Sequence, residues 1–148
     1  IEFQKNNQET SLTIIGDGVD KKSLQSLAST CETIRFLGRY NNKEVLNELP
    51  NYDCLIVNSH KETFSMITAE ALLSGVPVIS SKCGGPEQFV IDNENGYLVE
   101  VNDENDLFNK INSFKSSIDK FDTNTIKNSV LRKLDINEIK SKIKHLYV

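Results

Sequence analysis

The 148-residue chain is poor in the residues that several kinds of chemistry need. Its two histidines, His60 and His145, lie far apart, and no His, Cys and Asp cluster has metal-ligand spacing. No Asp-x-Asp sequence occurs, so a metal-held pyrophosphate has no support, and no metal is expected. Cys31, Cys54 and Cys83 are widely spaced and odd in number, which suggests free thiols in a reducing compartment. No apolar run approaches the roughly 18 residues of a membrane helix. Glu2, Lys5 and their Asn and Gln neighbours interrupt any secretory h-region. Basic residues are outnumbered, 17 to 21, and the net charge of −4 argues against a nucleic-acid surface. What remains is 16.7 kDa with 38% apolar residues, enough for one ordinary domain with a real core.

Short apolar runs alternate with amphipathic stretches. Leu12–Gly16, Thr33–Leu37, Asp53–Val57, Pro77–Ser80 and Tyr97–Val99 read as strands. Between them, Asp20–Thr30 reads as a helix with Leu24 and Leu27 on one face, and Lys43–Leu49 as one with Val45, Leu46 and Leu49 inward. Ser65–Ser74 is helical, stopped by Gly75 in the αL position such ends favour. Asp103–Ser117 carries Leu107, Ile111 and Phe114 at helical spacing. This alternation specifies an α/β fold, a Rossmann-like parallel sheet with helices on both faces. In such folds ligands bind beyond the carboxyl ends of the strands, so chemistry is sought after Ile15, Leu37, Val57 and Ser80. Residues 119–148 carry seven basic and four acidic side chains against a net −7 before them. They read as a helical extension, about Thr123–Lys133 and Asn137–Tyr147, with a solvated basic face favoured over an anionic-lipid contact.

Ser59–Glu87 is the most informative stretch. Glu70 is the only charged residue between Ser65 and Ser81, in a helix otherwise made of Met, Ile, Thr, Ala, Leu and Ser. A carboxylate covered by protein needs a hydrogen-bond partner. Charge isolation alone leaves open a ligand contact or an ordinary residue at an exposed edge. Ser65 is a plausible N-cap, and the amides after it offer donors and partial positive charge to an anion. Amides for phosphate and a carboxylate for hydroxyls suit a phosphorylated sugar. Glu62, on the loop leading to this helix, would by itself pass for an exposed loop glutamate. Gly16-Asp17-Gly18 falls short of a dinucleotide fingerprint, since Lys21 stands where its third glycine belongs. Cys83 has no histidine near it in sequence and is read as a packed or partly exposed thiol, and Cys54 as core.

Glu62 and Glu70 form an E-x7-E spacing, with Phe64, Ala71, Gly75, Pro77-Val78 and Gly84-Gly85-Pro86-Glu87 in register. Gly16-Asp17-Gly18 follows a strand, Phe36-Leu37-Gly38 ends one, and Asn95-Gly96-Tyr97-Leu98-Val99 begins another. Together, from about Leu12 to Ile118, these motifs resemble the carboxy-terminal nucleotide-sugar domain of group 1 (family 4) retaining glycosyltransferases of the GT-B fold. The resemblance implies that Glu70 holds the ribose hydroxyls of a nucleotide-diphosphate sugar and that Glu62 contacts the sugar near its reacting end. It implies that the backbone of Phe64, Ser65, Met66 and Ile67 cradles the pyrophosphate, and that Arg39, Tyr40 and Gly16 line the nucleotide cleft. A surface arginine is the other reading of Arg39.

Two departures stand out. Thr63 and Ser65 flank Phe64 where the family often has glycines. The family's first strand, its Gly-Arg loop and following Lys, and its acceptor-binding amino-terminal domain have no counterpart from Ile1 onward. The expected layout is a donor-binding domain over 1–118, truncated at its start, with Ile1–Asn6 a helix remnant and 119–148 its helical extension. The strands ending at Gly16 and Asn58 are then expected to flank a gap one strand wide. These residues alone are expected to bind donor weakly and transfer nothing, whereas the intact protein would be a metal-independent transferase without a further cofactor. Its acceptor would be a glycan or lipid, its setting cytoplasmic, with room for peripheral contact at the inner membrane face. A nucleotide-binding module without catalysis and a GT-B sugar epimerase are the alternatives.

Overall fold

The computed structural model describes residues 3, 4, 7 and 9–133. The chain divides into two compact units, one up to Val45 and one from Leu46 onward.

In the first unit, β1 (Leu12–Ile15) and β2 (Ile34–Gly38) form a parallel pair, joined through helix α1 (Lys21–Leu27). Phe3 and Gln4 are helical, and the rest of the expected Ile1–Asn6 helix lies outside the described residues except in those two positions. Gln4 is buried, and its Oε1 accepts from the hydroxyls of Thr10 (3.1 Å) and Thr33 (3.0 Å), tying the start of the chain to the approach to β2. Leu24 and Leu27, expected to share one helix face, are 38% and 63% exposed, and α1 buries no residue. Helical periodicity marks an apolar stripe but does not say what covers it. Helix α2 (Asn42–Glu48) opens on a reciprocal capping box: Asn41 Oδ1 accepts from the Glu44 amide, and the Glu44 carboxylate accepts from the Asn41 amide.

The second unit is built on a parallel sheet in the order β3 (Leu55–Val57), β4 (Val78–Ser81), β5 (Gly96–Val99). Its central strand is buried at every position, as expected of a strand covered on both faces. Ile79, Tyr97 and Val99 point to one face and pack with Phe114 of helix α4 (Glu104–Ser116), with Leu107, Ile111 and Phe121 around them. Helix α3 (Met66–Ser74) lies across β3 and β4 and is covered by α5 (Thr123–Lys133), whose Ile126 and Val130 are fully buried. Leu49, at the end of the α2 stretch, is buried as expected, whereas Leu46 is 37% exposed. Gly75 closes α3 in the left-handed region, at φ 84°. The second expected carboxy-terminal helix, Asn137–Tyr147, lies outside the described residues.

Asn95 is fully buried and ties three segments together. Its Oδ1 accepts from the Ile91 amide, and its Nδ2 donates to the Phe89 carbonyl and to Ser129 of α5. Thus α5 is joined by a satisfied polar bond as well as by apolar contact.

Cys54 precedes β3 rather than lying within it, and packs against the Ile79–Phe114 cluster. Loss of water around the thiol pushes its pKa from 9.0 to about 12. The fold therefore favours the protonated thiol, so stability that is complete below pH 9 is lost as pH rises toward 12. A Cys54→Ala variant is expected to lose less stability between those pH values than wild type. Parallel losses in thermal melts of the two proteins would contradict this.

Candidate functional site

The stretch from Glu62 to α3 is held against the turn after β4. Glu62 forms an isolated parallel bridge with Gly84: its amide donates to the Cys83 carbonyl (2.9 Å), and its carbonyl accepts from the Gly85 amide (2.8 Å). A Cβ on Gly84 would stand 2.7 Å from the Glu62 carbonyl oxygen, and one on Gly85 2.5 Å from the Phe64 carbonyl carbon. Two glycines are needed here because backbone packs on backbone. The Glu87 carboxylate accepts from the Gly84 amide and Pro86 starts a short 3₁₀ turn, so the Gly-Gly-Pro-Glu sequence builds a rigid wall.

Phe64 is half-exposed and meets the buried Phe89 edge-on, with ring centroids 5.0 Å apart. Ser65 follows at the N-cap of α3, as expected, but by a different device. Its backbone is left-handed (φ 59°, ψ 68°), and its buried hydroxyl bonds that of Thr68 at 2.8 Å instead of capping an amide. A non-glycine residue in this region costs on the order of 1 kcal/mol. The Ser65 carbonyl already accepts from Thr68 and Ala69. The amides of Met66 and Ile67, one residue further out, have no intrahelical acceptor and carry the positive end of the helix dipole.

Glu70, one turn on, is half-buried among the buried Thr68, Ala69, Ala71 and Leu72. Glu62 is also half-buried, and its Oε1 accepts from the Ser59 hydroxyl. The second unit thus brings Glu62, Phe64, Ser65, Met66, Ile67 and Glu70 into one continuous feature.

The other expected residues belong to the first unit. The Gly16 amide donates to the Gly38 carbonyl at 2.7 Å, so the loops after β1 and β2 start side by side. Gly16 has φ 145° and open space where a Cβ would stand. Arg39 is exposed and Tyr40 half-buried immediately beyond β2. Lys21 lies 3.4 Å from Asp17, so the Gly-Asp-Gly loop is fastened to α1.

One feature escaped the sequence reading. A cavity of ≈ 290 Å³ lies beyond β3 and β5, lined by Asn58, Ser59, His60, Asn102, Glu104 and Leu107 among others. Part of its lining comes from the loop after Val99, which the sequence reading did not include; a helix capped by Asp103 directly after the last strand was the available signal. Among the described residues, no group of three His, Cys, Asp or Glu could hold a metal ion, and no helix is long and apolar enough to cross a membrane.

The sequence pattern of the family described as glycosyl transferases group 1 matches residues 2–130. The chain belongs to this family. A GDP-mannose-dependent alpha-mannosyltransferase of Mycobacterium tuberculosis is 36% identical over 90 residues, 61% of this chain and 23% of that protein. The chain therefore spans about a quarter of the length of that curated relative. Among solved structures, the lipopolysaccharide outer core galactosyltransferase WaaB superposes with a TM-score of 0.79 at 26% identity, covering 93% of this chain and 40% of that one. The carboxy-terminal domain of a group 1 family protein (LpcC) from Francisella tularensis gives 0.77 at 25% identity, covering 91% and 75% respectively. The architecture is that of the carboxy-terminal Rossmann-like domain of GT-B glycosyltransferases.

Proposed function

We propose that this group 1 chain is the donor-binding part of a retaining glycosyltransferase, which moves a sugar from a nucleoside diphosphate to a glycan or lipid acceptor held by another part of the protein. The observation that carries the reading is the pinning of Glu62 and Phe64 on Gly84-Gly85, directly before the start of α3. It places one carboxylate just before the free amides of the α3 start, with the second carboxylate following on the same helix. The Met66 and Ile67 amides receive the pyrophosphate, and Glu70 takes the ribose hydroxyls. Glu62 contacts the sugar near its reacting end. The chemical contribution is electrostatic: the α3 start stabilises negative charge gathering on the departing diphosphate, as preorganised donors do in a site from which water is excluded. Glu62 stabilises the positive charge developing on the sugar. The family match favours this reading over an epimerase or a binding module without chemistry. The α5 contact with α3 supports treating residues 119–133 as part of the donor domain.

In the intact protein, Glu62→Ala is expected to lower turnover of the preferred donor by roughly 100-fold or more, the scale of losing one electrostatic contact to the transition state. Affinity for the free nucleoside diphosphate should stay within about twofold. Wild-type turnover, or lost diphosphate affinity with turnover kept, would overturn the assignment of Glu62 to the sugar.

A further inference from the structure

Glu62 is secured at both ends. Its backbone is bridged to the turn after β4, and its Oε1 accepts a 3.0 Å hydrogen bond from Ser59 Oγ. Ser59 is in turn fixed from below: the buried Ser81 hydroxyl, at the carboxyl end of β4, donates to the Ser59 carbonyl at 2.5 Å. Ser81 Oγ also lies 3.4 Å from the Val57 carbonyl. A line of hydrogen bonds thus runs from the sheet interior to one oxygen of the Glu62 carboxylate.

A glutamate side chain turns about three bonds, and a reacting group held loosely loses much of its effect. A neutral hydroxyl on one oxygen fixes the carboxylate and leaves its charge and its second oxygen available. An arginine or lysine in the same place would offset that charge.

We propose that Ser59 is a positioning residue for Glu62, orienting its carboxylate toward the donor sugar. This rests on the reading of Glu62 as the sugar contact. Without that orientation, the sugar part of the donor is held less well, while the nucleotide part is unaffected.

The test is a double-mutant cycle in the intact protein, with wild type, Ser59→Ala, Glu62→Ala and the double variant. Calorimetry compares each nucleotide sugar of a GDP-mannose and UDP-glucose pair with its free diphosphate, and turnover is followed by diphosphate release. Ser59→Ala is expected to lower turnover about tenfold, the scale of one hydrogen bond to a charged group, with diphosphate affinity within about twofold. The double variant should be no worse than Glu62→Ala, and Ser59→Thr, which keeps the hydroxyl, should recover most of the loss. Should Ser59→Ala fold poorly, Ser59→Cys carries the same test, because its sulfur fills the site but donates weakly. An impaired Glu62→Ala beside a wild-type Ser59→Ala, or losses that multiply in the double variant, would overturn the role of Ser59 alone. A wild-type Glu62→Ala would instead overturn the sugar-contact reading, and the role of Ser59 with it.

Discussion

Glu70→Ala is expected to weaken nucleoside diphosphate binding by the intact protein by roughly 10- to 150-fold, the scale of losing a hydrogen bond to a charged group, about 1.5–3 kcal/mol. The residue is half-buried on the first turns of α3, with Thr68, Ala69, Ala71 and Leu72 buried around it. That position suits two ribose hydroxyls behind a pyrophosphate seated on the Met66 and Ile67 amides. Glu70→Gln, which keeps acceptor and shape but removes the charge, should lose less than Glu70→Ala. Unchanged diphosphate affinity in Glu70→Ala, measured by calorimetry, would remove Glu70 from the site. The contrast with Glu62 is the stronger check: one carboxylate should govern diphosphate affinity and the other turnover.

The second large effect is on stability. A Cβ on Gly96 would stand 1.9 Å from the Val78 carbonyl oxygen, where β5 lies against β4. The obstacle is the backbone of the central strand, so no side chain can swing away to make room. Adding one methyl to a packed interior typically costs about 1–3 kcal/mol, and a collision with paired backbone belongs at or beyond the upper end. With domain stabilities of roughly 5–15 kcal/mol, Gly96→Ala should melt markedly lower and yield less soluble protein. A melting temperature within a degree of wild type would contradict so close an approach of β5 to β4.

The fold was legible because its strands are short apolar runs and its helices carry apolar stripes. Pro77–Ser80 reads as a strand, and β4 (Val78–Ser81) lies there, buried throughout. Asp103 reads as a helix boundary, and its carboxylate caps α4 through the Asp106 amide. Two kinds of information were not legible. The inward placement of Leu46 failed, and the shared face of Leu24 and Leu27 stayed exposed, because periodicity carries no record of the covering partner. The capping of α3 held in position but differed in device. Serine at a helix start predicts a side-chain cap, yet Ser65 adopts a left-handed backbone and gives its hydroxyl to Thr68. That backbone region favours glycine, the residue the resembling family often places beside this Phe, so the departure at Ser65 retains the geometry at some cost. The Glu62, Glu70 and Gly-Gly-Pro-Glu motifs were visible as spacing. That Gly84 and Gly85 serve to bring backbone onto backbone, and that Ser59 reaches Glu62, are facts of three dimensions.

In the proposed function, the start of α3 receives the diphosphate of a sugar donor. A crystal structure of the intact protein with its preferred nucleoside diphosphate tests it most directly. Phosphate oxygens are expected within roughly 2.7–3.2 Å of the Met66 and Ile67 amide nitrogens, the ordinary hydrogen-bond range, with ribose hydroxyls on the Glu70 carboxylate. A diphosphate bound elsewhere, with those amides facing only water, would contradict it.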